Sequence, residues 1–113
     1  MNYQEIKSGR KITSSFPYTW KPMERGYSDQ SLYVNVETGK METRKVSPET
    51  REKFIGGKGY GLRMLWDAVK PTTKWQDPEN EIVISGGPCS GITQYSGSGK
   101  SIVVAISPQT EKI

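Results

Sequence analysis

Histidine is absent from this 113-residue sequence and cysteine occurs once, as Cys89. One thiol cannot close an intrachain disulfide, and without histidine it cannot anchor a self-contained zinc or iron–sulfur site. Apolar residues are scarce as well: hydrophobic types make up 33% of the chain, and the mean hydropathy is -0.68. No apolar run approaches the ~20 residues that span a bilayer, and the N-terminus lacks the apolar core of a signal peptide. The expected location is the cytoplasm, with no membrane partner. Charge of one sign does not accumulate either, with 16 Lys and Arg against 12 Asp and Glu. Basic residues alternate with acids, as in Glu42, Arg44, Lys45, Glu49, Arg51, Glu52 and Lys53. That is the pattern of a solvated mixed surface, and no nucleic-acid partner is expected.

Turn formers are plentiful, with 12 Gly and seven Pro, which favours a turn-rich, β-containing fold over a helical bundle. The length allows one domain at most. A domain of this size buries roughly two-thirds of the surface its unfolded chain exposes. The thin apolar supply leaves two readings open: a small independent core, or a core completed by another chain.

Residues 1–29 show no sustained period, and Pro17 and Pro22 break any helix in their aromatic part. They read as an extended, aromatic-containing arm, either frayed or packed on a neighbour through Phe16-Pro17-Tyr18-Thr19-Trp20. Ser31–Val36 then alternates, with Leu32, Val34 and Val36 on one face. Glu37-Thr38-Gly39-Lys40 supplies a turn with Gly at the left-handed position, and Met41–Val46 returns. This is a β-hairpin with one face expected to be buried.

Ser47-Pro48-Glu49 is a helix start, with Ser as N-cap, Pro at the first helical position and an acid facing the dipole. The short helix is halted by Gly56-Gly57. A second helix starts near Gly59, with Leu62, Leu65, Trp66 and Val69 on one expected apolar stripe. Pro71 ends it, and a polar loop closes with Asp77-Pro78-Glu79-Asn80. Ile82-Val83-Ile84 is a short strand of the type buried on both faces. Hairpin, helices, strand, loop and strand make an α+β fold.

Three glycine clusters bear on chemistry. Gly97-Ser98-Gly99-Lys100-Ser101 ends like a phosphate-binding P-loop, but Gln94 stands where its first Gly belongs. The β-branched Ile102-Val103-Val104 also predicts a strand where that motif requires a helix. Gly56-Gly57-Lys58-Gly59-Tyr60-Gly61 has the wrong spacing for a dinucleotide loop and joins two helices. A tight corner explains one or two of its glycines, and a cofactor or chain lying against it would explain the rest. The long loop from Gly86 to Lys100 can gather N–H and O–H donors and one cation around an anion such as phosphate.

Five motifs in order now add up to a resemblance. Leu32-Tyr33-Val34-Asn35-Val36 with Thr38-Gly39-Lys40 is similar to the "RVNLTTGK" hairpin of the tungsten-dependent aldehyde:ferredoxin oxidoreductase family. Lys53-Phe54-Ile55-Gly56-Gly57-Lys58-Gly59 resembles its "FLGGRG" corner. Pro78-Glu79-Asn80 with Ile82-Val83-Ile84 resembles "PENKLIFA", and Gly87-Pro88 with Ser90-Gly91 resembles "GPLTG". Ser107-Pro108-Gln109-Thr110 resembles "SPLTG", and also the active-site subunit of class II benzoyl-coenzyme A reductase. The resemblance covers residues 31–113.

It implies a β-rich platform under a tungsten or molybdenum bis-pyranopterin with magnesium-bridged phosphates. Lys100 matches a basic residue that contacts those phosphates, and Gly97, Ser98 and Gly99 lie beside it. Gly56, Gly57 and Gly59 would let backbone pass close to the cofactor or a partner. Cys89 takes an apolar position of the motif and is expected as a small packing residue. Family members are several times longer, and their 4Fe-4S cysteines match nothing before Ile113. The resemblance therefore implies residues 1–29 as an arm and 30–113 as an incomplete N-terminal platform, a split subunit or a truncated product. No catalytic or metal-ligating residue is expected within it. Implied partners are the chain with the remaining domains and ferredoxin or another electron-transfer subunit. Two other classes stay in view: an interaction or assembly module without cofactor, including a decayed fragment, and a nucleotide-binding domain resting only on the P-loop likeness.

Overall fold

The computed structural model describes residues 3–19, 21–92, 94 and 96–112. Along the chain run α1 (Tyr3–Ser8), β1 (Gln30–Val34), β2 (Met41–Lys45), α2 (Pro48–Phe54), α3 (Gly57–Ala68), β3 (Val83–Ser85) and β4 (Ile102–Val104). This is the expected α+β class. Two compact units divide these elements.

One unit holds the stretch up to Lys21 together with Gln30–Lys45. Its β1 and β2 pair antiparallel, with Gln30 opposite Lys45 and Val34 opposite Met41. Asn35 organises the turn. Its Oδ1 accepts the N–H groups of Glu37 at 3.1 Å and Thr38 at 2.9 Å, an Asx-type closure that a short side-chain carbonyl can make. Gly39 takes the expected left-handed angle, φ +71°. The expected buried face is not buried. Leu32 and Val34 are exposed, and Val36 lies beyond β1, 94% exposed. Tyr33, on the opposite face, is the half-buried residue, with the Arg44 guanidinium 3.5 Å over its ring. A two-stranded ribbon supplies no second layer of its own, so cover comes only from long side chains that fold back on it. Before this hairpin Phe16 is half-buried and Tyr18 exposed, while Trp20 lies outside the described residues.

The other unit holds Pro22–Asp29 and Val46 onward. Its α2 starts as expected, with the Thr50 N–H donating to Ser47 Oγ at 3.1 Å and Pro48 opening the helix. Lys53 Nζ reaches Glu49 Oε1 at 2.6 Å, one turn back. Ile55, rather than a glycine, carries the left-handed angle that ends α2, φ +58°. Arg51 Nη1 lies 3.0 and 3.2 Å from the two Asp29 carboxylate oxygens, and its guanidinium stands 5.2 Å over the Tyr27 ring.

The core of this unit is α3 against the β3–β4 ribbon. The strands run antiparallel, with Val83 opposite Val104, Ile84 opposite Val103 and Ser85 opposite Ile102. Leu65 is 0% exposed, and Val104 and Ile106 are the other buried hydrophobic residues. The line of α3 that faces the ribbon is Gly57, Gly61 and Leu65, spaced by four as one helical face requires. Leu62 and Val69 flank it half-buried. Trp66, expected on the apolar stripe, is 74% exposed. It follows Leu65 directly, and consecutive helical residues point about 100° apart. The expectation that Ile82 and Ile84 are buried fails too: they are 70% and 68% exposed. The ribbon has a helix on one face only.

Candidate functional site

The glycine corner before α3 is filled by the chain itself. Gly57 donates its N–H to the Gly86 carbonyl at 3.0 Å, and Ser85 Oγ donates to the Gly57 carbonyl at 2.8 Å. A Cβ on Gly56 would stand 3.1 Å from the Gly86 oxygen and 3.3 Å from the Gly87 Cα. A Cβ on Gly59 would stand 2.6 Å from the Phe54 carbonyl oxygen. The backbone approach for which these glycines make room is thus Gly86-Gly87 and the preceding helix.

The turn Glu24–Tyr27 meets the same loop from its other side. Glu24 and Tyr27 exchange two backbone hydrogen bonds of 3.0 Å, and Arg25 and Gly26 hold φ of +53° and +81° between them, as a type I′ turn requires. A Cβ on Gly26 would coincide with the Pro88 carbonyl. Sequence reasoning missed Gly26 and Ser85. The Arg-Gly pair is a weak turn signal, and the serine follows an ordinary apolar strand.

Beyond Pro88 the loop is closed by its own backbone. Ser90 donates to the Gly87 carbonyl at 3.0 Å, and Gly91 to the Ser98 carbonyl at 2.9 Å. Gly97 and Ser98 are half-buried; Gly99 and Lys100 are exposed. Among the described residues no atom lies within 4 Å of a Cβ placed on Gly87, Gly91 or Gly99, and of these Gly91 and Gly99 are exposed. Lys100 is the only charged residue between Glu81 and Glu111. Cys89, expected to pack, is exposed instead, because the turn at Pro88–Gly91 lies outside the helix–ribbon core.

The glycine corner meets one end of the ribbon. Ser85 and Ile102 are its last cross-strand pair, and the Ile102 side chain reaches within 3.8 Å of a Cβ placed on Gly57. Lys100 enters two residues before that pair. The N-terminus of α3 opens there with no side-chain cap and no acid in its first turn. A β-strand follows Lys100, so the P-loop arrangement, with a helix after its lysine, is not formed. The loop itself offers one cation, glycine backbone and no carboxylate, with Glu24 in the turn that meets Pro88; that loop composition fits an anionic, phosphate-bearing group. It offers nothing for a metal: the described residues contain no group of three His, Cys, Asp or Glu side chains placed to hold an ion. Among them, too, no helix is long and apolar enough to cross a membrane.

Comparison with known proteins places the sequence in a family. The family model described as aldehyde ferredoxin oxidoreductase, N-terminal domain, matches residues 31–113. The tungsten-containing aldehyde ferredoxin oxidoreductase of Thermococcus kodakarensis is 33% identical over 79 residues, covering 70% of this chain and 13% of that relative. Its counterpart from Pyrococcus furiosus is 32% identical over 79 residues, with the same coverage. An aliphatic sulfonate oxidoreductase, WOR-like subunit, of P. furiosus is 29% identical over 90 residues, 77% of this chain and 14% of that protein. The chain thus spans 13% to 14% of the length of these relatives.

Proposed function

Because this chain belongs to the aldehyde ferredoxin oxidoreductase family, through that family's N-terminal domain, we propose that it is the N-terminal part or subunit of a larger tungsten or molybdenum bis-pterin oxidoreductase. Its role is to hold phosphate of the cofactor, and it is not catalytic alone. The carrying observation is the match over residues 31–113 onto a loop whose single charge is Lys100. Lys100 would pair with a phosphate oxygen, with backbone N–H groups of Gly97, Ser98 and Gly99 beside it. Gly56 and Gly57 act indirectly, by letting the Gly86-Gly87 backbone settle against α3, and Gly59 by letting the end of α2 approach it.

When bound, the metal–pterin group supplies two-electron oxidation of an aldehyde to a carboxylate. This chain's own part is to bind and orient the anionic end of that group. Magnesium, a 4Fe-4S cluster and the route of electrons to ferredoxin would be supplied with the remaining polypeptide. Lys keeps the charge of the family's usual Arg without its two-pronged fork, so one phosphate oxygen, rather than two, is the expected contact.

The test is metal content of the assembled enzyme, measured by elemental analysis. Lys100→Ala is expected to lower tungsten or molybdenum occupancy, and Lys100→Arg to retain it. Unchanged occupancy in Lys100→Ala would overturn the assignment. A second reading, an interaction or assembly module without cofactor, is favoured by one observation: large apolar residues remain exposed while Leu65, Val104 and Ile106 alone form the described hydrophobic core. A purified complex with a defined partner and no metal would decide for it.

A further inference from the structure

We propose that the outer face and edges of the β3–β4 ribbon are the seam on which strand-bearing polypeptide of the remaining enzyme packs. Ile84 and Val103 are direct cross-strand partners, 68% and 63% exposed, and Ile82, two residues from Ile84, is 70% exposed. Alternate residues of a strand share a face, so the three form one apolar patch. The opposite face, through Ser85 and Val104, lies on Gly57 and Gly61 of α3. Singly exposed apolar residues are ordinary, but a contiguous patch marks an interaction surface.

The edges point the same way. Among the described residues this sheet has two strands, so each strand has one open edge. Proteins protect water-exposed edges with lysine, other charges or proline. Neither strand carries any: no charged residue or proline occurs from Ile82 to Gly87 or from Ser101 to Ser107. The ribbon has the chemistry of an internal sheet segment.

The occupant follows from extent. A second copy related by two-fold symmetry would pair one edge of each ribbon and leave the other bare. Closing both edges and the face takes several strands, and the relatives have ample further polypeptide: the matched segment is 13% of their length. The assignment rests on the larger-enzyme reading above and adds where the larger enzyme attaches. The contact is dry and apolar, made by β-branched or aromatic side chains, with backbone hydrogen bonds along the edges.

The experiment uses the enzyme assembled in its own cells, with the photoreactive residue p-benzoylphenylalanine in place of Ile84. The same probe in place of Glu52, exposed on α2, is the control. Irradiation followed by peptide mapping is expected to join position 84, but not position 52, to a peptide of the polypeptide bearing the remaining family domains. The double variant Ile84→Lys, Val103→Lys is expected to lose that polypeptide at least tenfold on co-purification, with its circular dichroism unchanged. A partner retained by the double variant overturns the seam while leaving the larger-enzyme reading intact. So does a crosslink from position 84 into a second copy of this chain. A wild-type protein that purifies with no such polypeptide overturns both.

Discussion

Asn80 grips Ile106 by both of its backbone groups. The Ile106 N–H donates to Asn80 Oδ1 at 2.7 Å, and Asn80 Nδ2 donates to the Ile106 carbonyl at 3.1 Å. Nδ2 donates to the Trp75 carbonyl as well, at 2.9 Å. The ladder of β4 ends at Val104, so this amide replaces a neighbouring strand for a residue that is buried. It also ties the polar loop after α3 to the ribbon.

Asn80→Ala should therefore be among the more damaging single changes. It removes three hydrogen bonds and leaves the Ile106 backbone without its partner, a loss of about 2–4 kcal/mol. Asn80→Asp keeps the acceptor for the Ile106 N–H but sets a carboxylate against two carbonyl oxygens. It should be no more stable than the alanine variant at neutral pH. Urea denaturation of both variants checks this, and a loss below about 0.5 kcal/mol would show the bridge to be idle.

Two glycines with left-handed backbones separate conformational strain from steric exclusion. Gly39 has φ +71° and no atom within 4 Å of a Cβ; Gly26 has φ +81°, and its Cβ would fall on the Pro88 carbonyl. Gly39→Ala should cost only the left-handed penalty, about 1–2 kcal/mol. Gly26→Ala adds a backbone clash that the rigid Pro88 cannot relieve, so it should cost clearly more. Hydrogen exchange would locate the two effects: confined to the hairpin turn for Gly39→Ala, and reaching the Gly86–Ser90 backbone for Gly26→Ala. Equal costs would mean that the Gly26 turn does not rest on Pro88.

Most elements are legible in the sequence because local chemistry decides them. Ser47 and Pro48 start α2 through their own side chains, and β-branched Ile102-Val103-Val104 forms a strand where a P-loop needs a helix. Which faces are covered is not legible. The alternation of Leu32, Val34 and Val36 reports the capacity to bury a face, but burial needs a second layer, and the described unit supplies none there. The same holds for Ile82 and Ile84. At the candidate site the glycines and Lys100 stand out locally. Their arrangement does not, since Gly26 meets Pro88 and Gly57 meets Gly86 across long stretches of chain, and no spacing announces contacts of that kind.

Acid should loosen the two exposed ion pairs before it touches the core. Arg44, by its hydrogen bond and then its charge, lowers the Glu42 pKa, and Lys53 does the same for Glu49. A carboxylate whose pKa is depressed by folding contributes stability above its unfolded pKa, and that contribution disappears as pH falls through the folded value. Both pairs should thus stabilise fully at neutral pH and fade below about pH 4. Carboxyl chemical shifts followed by NMR titration should show Glu42 and Glu49 titrating below the ordinary glutamate value, and the displacement should shrink in high salt. Titration of both at the ordinary glutamate value would mean that the pairs do not persist in solution.

The contact between Gly61 and Val104 makes the strongest demand on the helix–ribbon core. A Cβ on Gly61 would stand 2.6 Å from Val104 Cγ2 and 3.1 Å from its Cβ, closer than packed carbons approach. Gly61→Ala gains about 1 kcal/mol of helix propensity, yet overpacking typically costs 1–3 kcal/mol, so the net change should be destabilising. Val104→Ala alone removes two methyl groups from a buried site and should cost about 2 kcal/mol through lost burial and a residual cavity. Together the changes complement each other, because the alanine methyl on α3 enters the space vacated on β4. The double variant should be more stable than the sum of the single effects by about 1–2 kcal/mol. A denaturation cycle over the four proteins measures this coupling directly. Additive effects would mean that α3 does not lie on β4 through this pair.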